Sequence, residues 1–512
     1  MTTDDHSPLP LHEQRMAGVC LHLTSLPGPH GIGTLGAPAH TFVDHCHDAG
    51  LRVWQFLPTG PTAFADSPYQ PLSAFAGNPM LIDLNELVEH ELLALDDLMP
   101  LSELPTDHVD YARLIPLKNA VLDIAAAQFF DQPNHALRSD YDAFIARHDE
   151  QWLDNYALFR TLKTLYDERP WYQWVAPYRQ RDPDALAGIR RQRGEKLDAI
   201  KFVQWVFDRQ WRALRQYARE HKVWLFGDMP IYIARDCADA WAQRELLRLD
   251  EDGTPDAVAG VPPDYFSEDG QLWGNPLYDW QQHSDTQYHW WVQRMRHTLT
   301  MVDIVRIDHF RGFEAFWSIP FGDDTARGGQ WQSGPNDAVF DAMRAALTDL
   351  PVVAEDLGEI TPAVVALRQR QGMPGMSVLQ FLIGEDSFQL DQIARDSVAY
   401  TGTHDNDTTV GWFHGGPDDL RSDDQRRYDQ QQLLAKTGGN EDAPHWALIR
   451  AAMDSAACMA MAPMQDFLGL GSEARMNIPG VTENNWRWRM LTDDFDKALR
   501  DAIRANIRQT RR

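Results

Sequence analysis

Of 512 residues only four are cysteine (Cys20, Cys46, Cys237 and Cys458), and no two of them form a CxxC pair or a metal-ligand spacing. This argues against a disulfide-stapled secreted fold and a zinc module, and the thiols are expected to be reduced and structural, as in the cytoplasm. No apolar run is long enough to span a bilayer. The opening residues MTTDDHSPLPLHEQR are acidic and polar where a signal peptide needs a basic start and an apolar centre. Positive charge is scarce: 47 Lys and Arg face 75 Asp and Glu, a net charge of −28. Without a basic stripe to neutralise phosphates, neither nucleic acid nor an anionic membrane is expected as a partner. That acidity says nothing about a neutral substrate. Low-complexity tracts are also missing. With 43% hydrophobic and 24% charged residues, the chain reads as globular, long enough for one large domain with insertions or for two or three domains.

What the chain has in excess is tryptophan, 18 in all. Many belong in a core, but cleft Trp and Tyr are also the surfaces on which sugar rings stack, since a pyranose presents an apolar C–H face. Eight apolar, strand-like runs end in Gly, Pro or Asp, at 17–28, 51–61, 223–234, 302–310, 352–358, 376–383, 398–407 and 457–471. Their apolar positions are consecutive instead of alternating, which suits parallel strands covered on both faces. Helical patterns separate most of them, such as 201–218 with Phe202, Val203, Val206, Phe207, Trp211 and Leu214 on one face. Eight strands with intervening helices predict a (β/α)8 TIM barrel filling residues 1–512, although the Met-rich eighth run could also be a helix. The long gap after the second run predicts a mostly helical inserted subdomain at 85–200, where Leu158, Leu162 and Leu165 share a face. A second excursion, 235–300, is rich in Gly, Pro and aromatics around 260–280 and predicts a loop-rich insertion over the active site. Residues 483–510 are expected to form a closing helix, with no separate C-terminal β-domain.

Three of the runs, VDIVRIDHF, VVAEDLG and VAYTGTHDND, end abruptly in carboxylates. Asp308, Glu355 and Asp405 lie 47 and 50 residues apart, so three different strands can aim them at one point on the C-terminal rim of a barrel. Convergent carboxylates are the machinery of glycosidic bond chemistry, one as nucleophile and one as acid. Arg306 lies two residues before Asp308 on the same strand face, which favours an ionised nucleophile there, and is equally compatible with a simple strand-end ion pair. Burial against Val and Ala raises the pKa expected of Glu355, as a general acid requires. The Glu355–Asp356 pair is also compatible with capping the next helix, a task that suits Asp356. His404 and Asp405 suit gripping sugar hydroxyls, and Asn406 and Asp407 suit a turn. Residues 31–36 match GxGxxG, but Pro27 and Pro29 interrupt the approach and no helix is evident directly after the third glycine. Tight turns and close approach to a ligand are therefore expected of those glycines, not a dinucleotide site.

The stretches RIDHFRG (306–312), AEDLG (354–358) and GTHDNDT (402–408) resemble the 4-α-glucanotransferases of the amylomaltase type, glycoside hydrolase family 77. DSPYQ (66–70), SAFAGNP (73–79), GDMPIY (227–232), GVPPDYFSEDGQLWGNPLYDW (260–280) and SEARMNIPG (472–480) carry the same resemblance. It implies Asp308 as nucleophile, Glu355 as general acid/base and Asp405 as transition-state stabiliser. It further implies substrate contacts from Ser67, Tyr69, Asp228, Trp273, Arg306, His309, His404 and Asn477, with no metal or organic cofactor. The activity implied is transfer of α-1,4-glucan segments between malto-oligosaccharides through a covalent glycosyl-enzyme, with an α-glucan donor and a sugar acceptor as its partners. Carboxylates alone are equally compatible with a retaining α-glucan hydrolase, and the aromatics with a binding scaffold. Two departures stand out. Residues 235–241 read RDCADAW where the family commonly has His and Ser at the first and third positions, and Ile478 replaces a usual Thr. Oligomeric state and preferred chain length are left open.

Overall fold

The computed structural model describes residues 11, 15–62, 64–263 and 267–512. Most of the polar N-terminal stretch, and Asp264–Phe266 of the aromatic 260–280 segment, thus lie outside the described residues. The eight apolar runs supply eight short strands: β1 (Met16–Cys20), β2 (Val53–Gln55), β3 (Trp224–Met229), β4 (Ile304–Ile307), β5 (Val352–Ala354), β6 (Gly375–Val378), β7 (Ser397–Tyr400) and β8 (Met459–Pro463). They pair in parallel in the order β6-β7-β8-β1-β2-β3-β4-β5, so each strand lies beside the next in sequence and the last, β8, pairs with the first, β1. The remaining seam, between β5 and β6, is joined by the Ala354 N–H donating to Pro374 O (2.9 Å) and the Met376 N–H donating to Asp356 Oδ1 (2.7 Å). The ring is a (β/α)8 barrel. Every residue of β2, β4, β5 and β7 is buried, as the consecutive apolar positions require.

The barrel interior is filled by Met16, Val53, Phe226, Ile304, Val353, Met376, Val398, Met459 and Met461. Gly18 makes room there, because a Cβ on it would overlap the Met461 thioether. Outside the ring, the helix Gly194–Glu220 buries Phe202, Val206, Phe207, Trp211 and Leu214 of the expected face, with Val203 half-buried. Between β2 and that helix run the helices Tyr111–Asp131, Arg138–His148, Asp154–Leu165 and Pro183–Gln192. Leu158 and Leu162 are buried, whereas Leu165, the last residue of its helix, is exposed and leaves the shared face.

The stretch after β3 carries more regular structure than its Gly and Pro content suggests. Ala257–Val261 and Gln271–Pro276 pair antiparallel and join Ala315–Pro320 and Gln330–Ser333 in a four-stranded sheet beside the barrel mouth. The eighth run is both things considered, a strand followed at once by the short helix Met464–Leu468. The closing helix is shorter than expected, Lys497–Thr510, capped by the Asp496 side chain. The expectation for the GxGxxG segment needs one correction. A helix, Ala37–Ala49, does open directly after Gly36, and its N-terminus is covered by Asp83, whose carboxylate a Cβ on Gly36 would overlap. The close approach of these glycines is likewise to the chain itself, Gly33 lying against the backbone of Leu23 and Leu26. A pyrophosphate has no room there.

Candidate active site at the barrel mouth

Arg306 is the third residue of β4 and Asp308 lies just past the strand's end, so both point the same way and Arg306 Nη1 donates to Asp308 Oδ1 at 2.9 Å. The register of β3 and β4 puts Asp228 directly beside Arg306, and the same Nη1 reaches Asp228 Oδ1 and Oδ2 at 2.8 and 2.7 Å. Burial works against the charge on Arg306, but the flanking Asp228 and Asp308 carboxylates push its guanidinium well above the usual range. Tyr69, on the loop after β2, donates its hydroxyl to Asp228 Oδ2 at 2.8 Å. The Ser67 hydroxyl accepts from the Tyr69 N–H (3.3 Å) and shapes that loop.

Glu355 follows β5 on the adjoining strand. Its Oε2 accepts from the His309 N–H (2.6 Å) and its Oε1 from the Leu357 N–H (2.8 Å). Burial pushes its carboxyl up to about 7; Arg306 opposes the rise and Asp308 adds to it. The result is a carboxyl able to hold a proton near neutral pH beside one that a guanidinium keeps paired. His309 adopts the left-handed conformation, φ 49° and ψ 49°, uncommon for a residue with a Cβ, and this turn aims its N–H at Glu355. Burial drives its imidazole down to about 4, so it faces the cleft neutral, edge-on to Trp273 with ring centroids 4.8 Å apart.

Asp405 lies on the loop five residues past β7, with a side chain 49% exposed. Asn477 Nδ2 donates to its Oδ1 at 2.6 Å, Arg475 Nη2 donates to its carbonyl at 2.7 Å, and His404 Nε2 stands 3.4 Å from the same Oδ1. The His404 ring stacks on Tyr69 at 5.1 Å, which brings the β7 loop onto the Asp228–Arg306–Asp308 network. All eleven side chains expected from the sequence therefore line one mouth. Trp273 and Ser67 do not touch the carboxylates and reach them through His309 and Tyr69.

The family described as 4-alpha-glucanotransferase matches residues 21–493 of the chain. The chain is a member of the 4-alpha-glucanotransferase family. It is 43% identical to the 4-alpha-glucanotransferase of Thermus thermophilus over 97% of this chain and 99% of that protein. It is 44% identical to the Synechocystis 4-alpha-glucanotransferase over 95% and 96% of the two chains. The structure of the amylomaltase from Streptococcus agalactiae in complex with acarbose superposes with a TM-score of 0.91, at 34% identity over 98% of this chain and all of that one.

In this member of the 4-alpha-glucanotransferase family, three residues at the site escaped sequence reasoning. Trp486 is buried against Tyr69 and His404 (6.0 and 5.9 Å), Tyr232 stands between Trp273 and Tyr278, and Arg475 positions Asp405 and Asn477 through their carbonyls. Arg475, the one cation in SEARMNIPG, and Tyr232, the last residue of GDMPIY, lay in stretches that carry the resemblance, and Trp486 did not. Asp356 does not cap the helix Pro362–Arg370. Thr361 does, and Asp356 instead binds the Met376 N–H and Arg368 across the β5–β6 seam. Asn406 is the turn residue expected, its Oδ1 accepting from the Thr403 N–H at 2.8 Å, whereas Asp407 ties this loop to Ser472 Oγ at 2.6 Å. At the departures from the family pattern, Arg235 lies over the Tyr172 ring and Cys237 Sγ accepts from the Ala240 N–H. Ile478 donates its N–H to Asn485 Oδ1.

Proposed function

We propose that this protein transfers α-1,4-glucan segments between malto-oligosaccharides by double displacement, with Asp308 as nucleophile and Glu355 as acid/base. The observation that carries the reading is the contrast between the two carboxyls: Asp308 is held by Arg306, and Glu355 is pushed up to about 7 by burial. In the first step Glu355 gives its proton to the glycosidic oxygen as that bond to C1 breaks, and an Asp308 oxygen bonds to C1. In the second, Glu355 takes the proton of an acceptor 4-hydroxyl, whose oxygen bonds to C1 as the Asp308 ester breaks. Asp405, gripped by Asn477, accepts hydroxyls of the reacting sugar, where hydrogen bonds strengthen as positive charge develops at C1. Tyr69 and His404 support one side of that sugar, Trp273 and neutral His309 the acceptor side. Substrate contacts are also assigned to Ser67, Asp228, Arg306 and His404. The four unpaired cysteines favour a reducing compartment, the cytoplasm.

Incubation with maltotriose, following product lengths and total reducing ends together, tests this. Glucose plus longer oligosaccharides at constant reducing ends is expected, because each transfer conserves them. Rising reducing ends would replace transfer with hydrolysis, and an unchanged substrate would reject both.

A further inference from the structure

Away from the catalytic mouth, between the loop Leu247–Asp256, Trp280 and the strand Gln330–Ser333, lies a groove of about 710 Å3. We propose that it is a second, non-catalytic binding site for an α-1,4-glucan chain. The proposal rests on reading the cleft as glucan-acting and adds a site to it.

The size is that of a pocket for a short oligosaccharide. Its floor is aromatic, with Tyr278 and Phe316 buried and Trp280 half-buried. Trp280 packs its inner side on Trp291, with centroids 6.0 Å apart at 23°, which fixes the indole as a rigid wall. The rim is a hydrogen-bonding array. Arg248 Nη2 donates to Asp256 Oδ2 at 2.5 Å and its Nη1 to Gln332 Oε1 at 2.8 Å, joining the two edges of the groove. Asp279 engages the chain through Oδ1, capping Gln281 and Gln282, and Asp250 through Oδ1, receiving the Asp252 and Thr254 N–H groups. In each the second oxygen is turned to no partner among the described residues.

The charge of this rim selects the ligand. Three carboxylates against one guanidinium repel phosphates, nucleotides and acidic peptides. Among the described residues no group of three acidic, His or Cys side chains converges to hold a metal ion, so the carboxylates act as separate acceptors. Separate acceptors, a forked donor and an aromatic wall suit a neutral polyol with C–H faces. The floor also leads to the cleft: Tyr278 stacks on Tyr232 (6.1 Å, 19°), and Tyr232 stands 6.3 Å from Trp273 and 6.5 Å from His309. A chain held in the groove is thereby tethered next to the acceptor side, raising its effective concentration there.

The test uses two variants. Ser333→Trp, at an exposed rim position, fills the groove, and Arg248→Ala with Gln332→Ala removes its donors. Maltoheptaose binding is measured by calorimetry in the Asp308→Asn background, and KM for long amylose and for maltotriose in the active background. Two classes of site are expected, reduced to one by either variant, with KM for amylose rising about 5-fold or more and maltotriose kinetics unchanged. A single class of site at the outset, or two classes untouched by both variants, overturns the groove as a glucan site. Unchanged maltotriose kinetics also verifies that the variants are folded. Should the active enzyme not turn over maltotriose at all, the transferase reading fails, while calorimetry still decides the groove.

Discussion

Asp308 and Glu355 sit on adjoining strands with the same functional group, and their surroundings divide the labour. Asp308 is 27% exposed and paired with Arg306, whereas Glu355 accepts neutral N–H donors and burial raises its carboxyl. Asp308→Asn is expected to lower kcat by roughly 10^4-fold or more, because amide nitrogen or oxygen cannot form the glycosyl ester. Retained turnover in a steady-state assay would remove Asp308 as nucleophile. Glu355 also makes stability depend on pH. With a folded value of about 7 against an ordinary 4.5, the folded state binds the extra proton. Folding stability contributed by that proton is therefore present below about pH 4.5 and lost as pH rises to 7, by about 3 kcal/mol. A side-chain amide cannot ionise, so the stability of Glu355→Gln relative to the unmodified chain should improve by about that amount between pH 4 and pH 8. Denaturant melts at the two pH values measure it, and a pH-independent difference would contradict the raised carboxyl.

At the scale of elements, the ring depends on how its last seam is fastened. The other strand pairs share main-chain ladders, but β5 and β6 meet through one main-chain hydrogen bond and the Asp356 carboxylate, itself paired with Arg368 Nε at 3.1 Å. Asp356→Ala should destabilise the fold by about 2 kcal/mol, since it leaves Arg368 Nε and the Met376 N–H without their acceptor, while Arg368 Nη1 keeps the Met373 and Asp396 carbonyls. Urea unfolding with an unchanged m-value reads this directly; a loss under 0.5 kcal/mol would show the seam held by other contacts. The seam marks the limit of what was legible beforehand. Apolar runs ending in Asp or Glu identified β4, β5 and β7 and the residues they deliver, because burial on two faces leaves a contiguous apolar signature. The four-stranded sheet left no such trace. Its strands are four to six residues long, interrupted by Gly260, Gly274 and Pro276, and its central pairing, Ala257–Val261 with Ala315–Pro320, joins residues more than fifty positions apart. The helix after Gly36 was hidden for a related reason. Its start, Ala-Pro-Ala-His after Gly36, has no side-chain cap, and Asp83 covers it from a distant segment.

For the whole molecule, the net charge of −28 is a statement about partners, not about the reaction. A neutral glucan feels no long-range field, so kcat/KM for maltotriose should change less than about 2-fold between 0.05 and 0.5 M NaCl, where screening lengths shrink several-fold. A steep salt dependence would point to a charged substrate. Among the described residues, no helix is long and apolar enough to cross a membrane. The sequential order of the ring also explains how distant segments build one mouth. Each strand delivers its C-terminal end to the same rim, so loops after β2, β3, β4, β5 and β7 bring Tyr69, Trp273, His309, Glu355 and Asp405 together without any strand crossing another.

The filling beneath that rim has a chemical cost of its own. Met16, Met376, Met459 and Met461 place four thioether sulfurs in the barrel interior, where flexible side chains fit the space left by Gly18. Oxidation to a sulfoxide would set a polar oxygen among Val53, Ile304 and Val353, the apolar neighbours of those thioethers. Because all eight strands rest on this one filling, damage at a single sulfur is felt at every strand end. Peroxide that reaches these buried thioethers as the barrel opens is thus expected to inactivate the protein without touching a carboxylate.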